Sequence, residues 1–479
     1  MTTDDDLEQD AEEIDKIMEE KDCDRETAWT LQQDRKERKM IADAHSVTKA
    51  LEQETENLKN KSLMTVHDVY KKYLCIPDTR RIDLILAIAI SKRTPGTPIW
   101  CIIVGSSGDA KSECIRPLMH WDNTMVLDDM TPNALASGKS DTIKDKKTGD
   151  IITLSPNDKG SKLQNASTLI LFPDMATMSS KNSDDKSLIW AQFRSLYDGN
   201  VTKSTGNGVE RKYENCHVTM IGCSTNVLRD ELIIHSQLGS REFIWDTGLE
   251  EHNDIEYKDK EAVNKKKTEM AWTNEAYEEQ MRKEIEATTL EFLKYHKFVR
   301  IPDENIPDTV KQFIIKEANR LRILRANVIV DQQHREVINP VIPETPTRVI
   351  KQLKKLYIAI RSLDKDYDDR RALSIIKTIV DSSGNVVRKM VMDIMRIQTE
   401  KWFTIRDIQE YTKIGRNSVK AQLEILWNLG IIDKETKYIP VGGYEERTKD
   451  KDGNEKIQIK GMQTREIETY KWVISDEYL

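Results

Sequence analysis

The sequence predicts an α/β protein: a parallel sheet, then a helical region, then a small C-terminal unit of two helices and strands. Three observations lead there. Continuous apolar runs at 98–104, 168–172 and 217–223 alternate with helical stretches such as 187–197, the pattern of central parallel strands covered on both faces. A glycine-rich segment directly follows the first run. Helical segments follow at 308–326, 347–363 and 368–380, until a Ser-Ser-Gly-Asn break at 382–385 opens the last unit.

The 479 residues suggest about three folding units. Hydrophobic residues make up 38% and charged residues 33%, enough for real cores beneath a heavily solvated surface. The net charge of −8 is concentrated in a tail. Residues 1–20 hold ten acids against Lys16 alone, which leaves the rest of the chain near neutral with local basic patches. That acidic tail is expected to be disordered, and the charged stretch 25–61, free of Pro and Gly, to be a solvated helix. The apolar run around 85–90 is far shorter than the ~20 residues a membrane helix needs. The acidic start is unlike a secretory signal. Six scattered cysteines without a CxxC pair argue against a zinc site or a disulfide framework. The expectation is a cytoplasmic protein, in the host cytoplasm if viral, with no membrane association.

The informative motif is Gly105-Ser106-Ser107-Gly108-Asp109-Ala110-Lys111-Ser112, which follows the first strand and opens a helix. In that context backbone N–H groups hold phosphates, Lys111 bridges the β- and γ-phosphates, and the Ser112 hydroxyl ligates Mg²⁺. ATP and Mg²⁺ are therefore the expected cofactors. Ala110 stands where the general pattern has Gly, so its backbone must avoid positive φ or accept strain. The second strand ends Phe172-Pro173-Asp174, placing a carboxylate for the metal shell, and Met175 follows where a second acid is usual. Two registers are open. Asp174 is the metal-shell acid, which is favoured, or Pro173 takes that place and Asp174 the water-polarising one. Asp128 or Asp129 would then supply a further carboxylate. The third strand leads to Asn226, placed to sense the γ-phosphate.

Taken in order, these residues resemble the minichromosome-maintenance (MCM)-like AAA+ helicases of phages and mobile elements. The resemblance covers about 63–479, and its phosphate loop also has Ala before Lys. Residues 128–138 resemble the lead into a helix-2 insert with Lys146 and Lys147 at its tip. Residues 193–199 and 203–208 resemble a pre-sensor-1 hairpin with Lys203 at its tip, 238–243 an arginine-finger segment, and 346–353 a sensor-2 helix. The resemblance implies that Arg241 reaches the nucleotide of a neighbouring subunit and that Arg348 approaches the γ-phosphate. It also implies a homo-oligomeric ring, expected to be a hexamer, with Lys203, Lys146 and Lys147 tracking single-stranded DNA in the pore. Any DNA collar would be reduced or supplied by a replication partner protein.

The last unit reads as a helix-turn-helix with a wing. One helix opens at 402–408, 412–415 make a turn, and a second helix begins at Arg416 with Asn417, Ser418 and Lys420 exposed at its start. Either Arg416 and Lys420 meet duplex DNA, or the unit docks on the ring or on a partner. The resulting domains are an acidic segment at 1–62, an AAA+ core at 63–250, a linker and helical lid at 251–383, and a winged helix at 384–479. The expected function is an ATP-dependent DNA helicase or translocase in replication of a virus or mobile element. The alternative is an AAA+ initiator, loader or regulatory switch.

Overall fold

A computed structural model of the chain describes residues 15–21, 24, 27–28, 32, 62–132, 134–136, 142–144, 151–153, 159–204, 210–229, 241–250, 260–274, 277–296, 301, 303–326, 343–441, 444–449, 455–460 and 463–474. It divides into a unit at 1–65 and a unit at 66–479. In the smaller unit, residues 15–21 are helical, where the sequence suggested disorder. Ile17 finds an apolar partner in Ala28, and burying that pair favours order in an otherwise charged stretch.

Helix α1 (Leu63–Tyr73) leads into the larger unit, followed by α2 (Arg80–Ser91), β1 (Trp100–Val104), α3 (Lys111–Ile115) and β2 (Thr124–Val126). Two short paired strands, β3 (Thr142–Lys144) and β4 (Ile151–Thr153), precede α4 (Lys159–Leu163) and β5 (Ser167–Phe172). Then come α5 (Ala176–Ser179), α6 (Ser183–Tyr197), the hairpin β6 (Val201–Ser204) and β7 (Glu210–Tyr213), β8 (His217–Ser224) and β9 (Glu242–Asp246). The sheet is parallel throughout, in the order β2-β5-β8-β1-β9. Its central strands are the three apolar runs of the sequence, and β1 is buried along its whole length. Such strands need cover on both faces. On one side Trp100 and Phe172 meet Phe193 of α6 edge-to-face at 5.8 and 5.9 Å. All twelve residues of α2 are buried.

Helices α7 (Lys260–Asn274), α8 (Glu278–Tyr295), α9 (Asp308–Arg325), α10 (Thr347–Arg361) and α11 (Asp369–Ser383) complete the body. Within the stretch from 251 expected to be a linker and helical lid, the described residues 260–274 and 278–295 are helical. A buried carboxylate ties three helices together. Asp83 of α2 takes His67 of α1 (2.5 Å) on one oxygen, and Tyr367 (2.5 Å) and Arg371 of α11 (2.7 Å) on the other. Burial alone would raise its pKa, but these partners hold it below the usual carboxylate value.

The C-terminal residues begin with α12 (Val386–Ile397), β10 (Phe403–Thr404), α13 (Ile405–Thr412) and α14 (Arg416–Asn428). A Thr404–Asp407 capping box starts α13, and Lys413 at φ 59° ends it, producing the turn read from the sequence. β11 (Ile432–Val441), β12 (Tyr444–Lys449), β13 (Glu455–Lys460) and β14 (Gln463–Trp472) follow. β10, β14 and β11 form an antiparallel sheet, and β12–β13 form a separate ribbon. Arg388 of α12 caps the end of α9, donating to the carbonyls of Ile323 (2.7 Å) and Ala326 (2.5 Å), and it also donates to Gln422 of α14 (3.0 Å). Among the described residues no helix is long and apolar enough to cross a membrane, no two cysteines are bonded, and no cluster of metal-binding side chains occurs.

Removing the Asp83 carboxylate strands a half-buried arginine and the buried Tyr367 hydroxyl. Asp83→Ala is expected to lose about 3–5 kcal/mol of stability, the usual cost of breaking a buried pair from one side. Urea denaturation checks this, and a loss under ~1 kcal/mol would show that the site simply fills with water.

Candidate phosphate-binding site

The loop leaves β1 at the carboxyl edge of the sheet, where parallel strands bring their ends together. The Gly105 N–H donates to the Ser224 carbonyl at the end of β8 (3.3 Å), pinning the start of the loop. A Cβ on Gly105 would lie 1.9 Å from Thr247 Oγ1, so the approach requires glycine. Gly108 turns the chain at φ +85°, and Ala110 adopts φ 54°, ψ 21°. The loop thus takes the strained option the sequence left open at Ala110, a left-handed alanine costing about 1–2 kcal/mol. Helix α3 then begins at Lys111.

The Lys111 ammonium folds over the loop and donates to the carbonyls of Gly105 (3.0 Å) and Ser106 (2.5 Å). Its pKa is lowered, chiefly by burial. Ser107 to Glu113, Pro173, Asp174 and Cys223 to Thr225 enclose a cavity of about 240 Å³. In its wall Ser224 Oγ is buried and finds no hydrogen-bond partner among the described residues, which is costly unless a ligand oxygen completes it. That orphaned hydroxyl and the carbonyl-held ammonium fit a bound phosphate. The Ser112 hydroxyl and the Asp174 carboxylate line the same cavity, enough protein ligands for a magnesium ion that takes its other oxygens from phosphates and water.

Several supports for this loop were not legible in the sequence. Asp109 accepts Lys267 of α7 on one oxygen (2.6 Å) and the Thr247 hydroxyl on the other (2.9 Å). Burial works against its charge, but these donors hold the Asp109 carboxyl below its usual value. Arg81 of α2 donates to the Asp109 carbonyl (2.7 Å) and forks onto Glu250 at 2.6 Å on both oxygens, and Trp245 Nε1 donates to the same Glu250 (2.7 Å). Although burial opposes it, Glu250 raises the Arg81 pKa. The only hint was a pair of arginines at the start of an otherwise apolar helix. A second cavity of about 330 Å³ adjoins the loop at Gly108 and Ala110, lined by Leu74, Cys75, Met270, Ala271 and Met281. Tyr73, Lys267 and Glu278 complete its walls, a mixed apolar and polar lining that suits a flat organic group attached to the phosphates.

The carboxylates depart from expectation. The Ser112 hydroxyl donates to the Pro173 carbonyl (2.7 Å), so Pro173 rather than Asp174 stands opposite it. That partner is a main-chain oxygen, and in either register the exposed Asp174 carboxylate lines this cavity. Asp174 is exposed and accepts the Ala176 N–H (2.8 Å). Met175 is buried, and a Cβ on Gly222 would lie 2.5 Å from its sulfur, so its side chain fills the gap that glycine leaves. Asp129 pairs with Lys181 (2.8 Å), and neither it nor Asp128 lines the cavity. Asn226 is exposed, two residues past the end of β8, and outside the lining, which takes Ser224 and Thr225 from this strand end.

Arg241 and Arg348 lie at the other end of the sheet. Arg241 precedes β9, whose Glu242 pairs with Trp100, whereas the loop follows Val104. Those five residues span roughly 16 Å at ~3.3 Å each. Arg241 pairs with Asp198 (2.9 Å) and its carbonyl accepts from Gln352 (2.7 Å). Arg348 pairs with Glu344. Its pKa is lowered by burial and then by the charge of Arg241. Lys203 is in strand β6 opposite Arg211, not at a hairpin tip, because pairing with β7 extends past it. Residues 205–209, the segment 230–240 before Arg241, and Lys146 and Lys147 lie outside the described residues. Arg416 and Lys420 are exposed at the start of α14, with Lys420 3.4 Å from Glu468. No model of a known protein family matches the chain, and no curated protein sequence does.

Ala110→Gly is expected to keep the fold and add up to ~1 kcal/mol of stability, because relief of left-handed strain outweighs the extra freedom of glycine in the unfolded chain. Ala110→Val should lose at least ~1 kcal/mol. Thermal melts of the two variants check this, and a less stable glycine variant would contradict the left-handed geometry.

Proposed function

We propose that the chain is an ATP-hydrolysing AAA+ motor that works as a ring on DNA, with a winged helix at 384–479. The observation that carries the ATPase reading is the loop itself. Lys111, the loop N–H groups, the orphaned Ser224 hydroxyl and Asp174 converge at the carboxyl edge of a parallel sheet, where ligands of such sheets bind. In this reading the loop N–H groups and Lys111 hold the phosphate chain and oppose its charge. Ser112 contributes an oxygen to magnesium, which supplies charge neutralisation on the leaving phosphates. Asp174, facing the water side, orients the attacking water and accepts its proton. The cavity beside Gly108 takes the base.

The distance of Arg241 from its own loop supports assembly. An arginine at the far edge of the sheet serves hydrolysis only on the nucleotide of another copy, so the active site would be complete in a ring. The β6–β7 hairpin and the exposed start of α14, with Arg416 and Lys420, are the surfaces offered for DNA. A second reading, an ATP-dependent switch that loads or regulates replication proteins, is favoured by one observation: Met175 is locked against Gly222, leaving Asp174 without an adjacent acid.

ATP hydrolysis by wild-type and Arg241→Ala chains mixed in varying ratios, with and without single-stranded DNA, tests the proposal. Stimulation by DNA and a loss of rate beyond the mutant fraction are expected. Nucleotide binding without hydrolysis, unchanged by DNA, would move the switch reading ahead, and no nucleotide binding sensitive to Lys111→Ala would end both. Asp174→Asn should lower kcat by about 10²–10⁴ with little change in KM. A rise in KM for magnesium instead would return Asp174 to the metal shell.

A further inference from the structure

A larger cavity, about 550 Å³, opens at the amino edge of the sheet, away from the phosphate loop. Its walls come from the turn before β1, the end of α6, the start of β8 and the first turns of α10. Arg348, Lys351 and Lys355 line it, spaced three and four residues apart and therefore on one face of α10. The helix begins at Thr347, so its positive end adds to theirs. Lys92 faces them from the turn, donating to the Asp122 carbonyl and lying 3.8 Å over the Trp121 ring. Lys355 donates to the Thr94 carbonyl (2.9 Å). The Thr94 hydroxyl, also in the lining, is buried and finds no hydrogen-bond partner among the described residues.

The charges do not balance. Four cations line the cavity against two carboxylates, Asp198 and Glu344, and both acids are already taken, by Arg241 and Arg348. Among the described residues no carboxylate pairs with Lys92, Lys351 or Lys355. Burial pushes Lys92 and Lys355 each down to about 8, with Arg93 adding to the shift at Lys92 and the Asp122 charge working against it. An anion entering the cavity would supply a counter-charge and an acceptor for Thr94. A nucleic-acid strand suits the site less well. The lining aromatic, Tyr197, is buried and its hydroxyl donates to the Pro98 carbonyl (3.3 Å), so it offers no face for stacking a base.

We propose that this cavity is a second anion site, binding the linear phosphate chain of a small molecule independently of the phosphate loop. The chain belongs either to inorganic polyphosphate or to a free nucleoside polyphosphate. The proposal does not rest on the motor reading, because the cavity shares no residue with the loop.

The test uses the full chain carrying Lys111→Ala, so that the loop no longer holds phosphates, titrated with inorganic triphosphate by calorimetry. Saturable binding of one triphosphate per chain is expected. Lys351→Glu, at an exposed position, and Lys355→Met, which keeps the apolar stem, should each weaken it at least tenfold while thermal melts show folded protein. Competition by ATP at similar affinity would assign a nucleoside polyphosphate as the ligand, and failure of ATP to compete would assign the inorganic chain. The proposal is overturned if the Lys111→Ala chain does not bind triphosphate, if both further variants bind it unchanged, or if a single-stranded oligonucleotide displaces it at far lower phosphate concentration.

Discussion

Parallel pairing of β1 with β8 on one side and β9 on the other is the constraint on which the rest of the structure depends. A parallel ladder sends every strand's carboxyl end to the same edge and every amino end to the opposite one. At the carboxyl edge this gathers the phosphate loop, Pro173-Asp174 and Ser224, residues up to 119 positions apart in the sequence. At the amino edge it gathers the 92–98 turn, Asp198, Arg241 and the start of α10. The sheet therefore has two chemically different rims, and a residue's place along its strand decides which one it serves.

Buried charge fixes the loop in that frame. Arg81 and Glu250 form a forked pair excluded from water, and Arg81 also holds the backbone of Asp109. Taking such a pair out of water has a cost that good geometry only offsets, so its value lies in orientation. It sets α2, the end of β9 and the loop in one arrangement. Lys267 then ties α7 to the Asp109 side chain, and Arg282 of α8 pairs with Glu113 at 2.9 Å, so two helices from beyond the sheet reach the loop and the helix it opens. The strained Ala110 belongs to the same economy: left-handed backbone persists where its surroundings determine it.

Under the proposed ATPase reading, the two rims also account for why one chain would make an incomplete hydrolytic site. The carboxyl rim offers a lysine, a serine and one outward acid. The arginines that would oppose charge on a transferring phosphate stand at the amino rim, roughly 16 Å along the strands. There they crowd around Glu242, whose carboxyl is pushed up by burial, and Arg325, whose guanidinium burial brings down to about 10. A rim with surplus positive charge is a natural anion receptor, whether for a free phosphate chain or for one carried by another copy.

The sequence by itself determined the elements. The runs at 98–104, 168–172 and 217–223 became central strands, the helices from 308 onward began within a residue of where their patterns began, and the Gly105–Ser112 loop fell where a strand meets a helix. These features are written in local periodicity and in glycine placement, which neighbouring residues enforce on one another. Only the tertiary structure decided that Ala110 is left-handed, that Ser112 meets Pro173 rather than Asp174, that Ser224 and not Asn226 lines the cavity, and that Arg81, Glu250 and Lys267 hold the loop. Each of these depends on which strand end or side chain arrives from far along the chain. Periodicity reports which face of an element is apolar, but it carries no record of the partner, because partners are chosen by sheet order and by the satisfaction of buried charge.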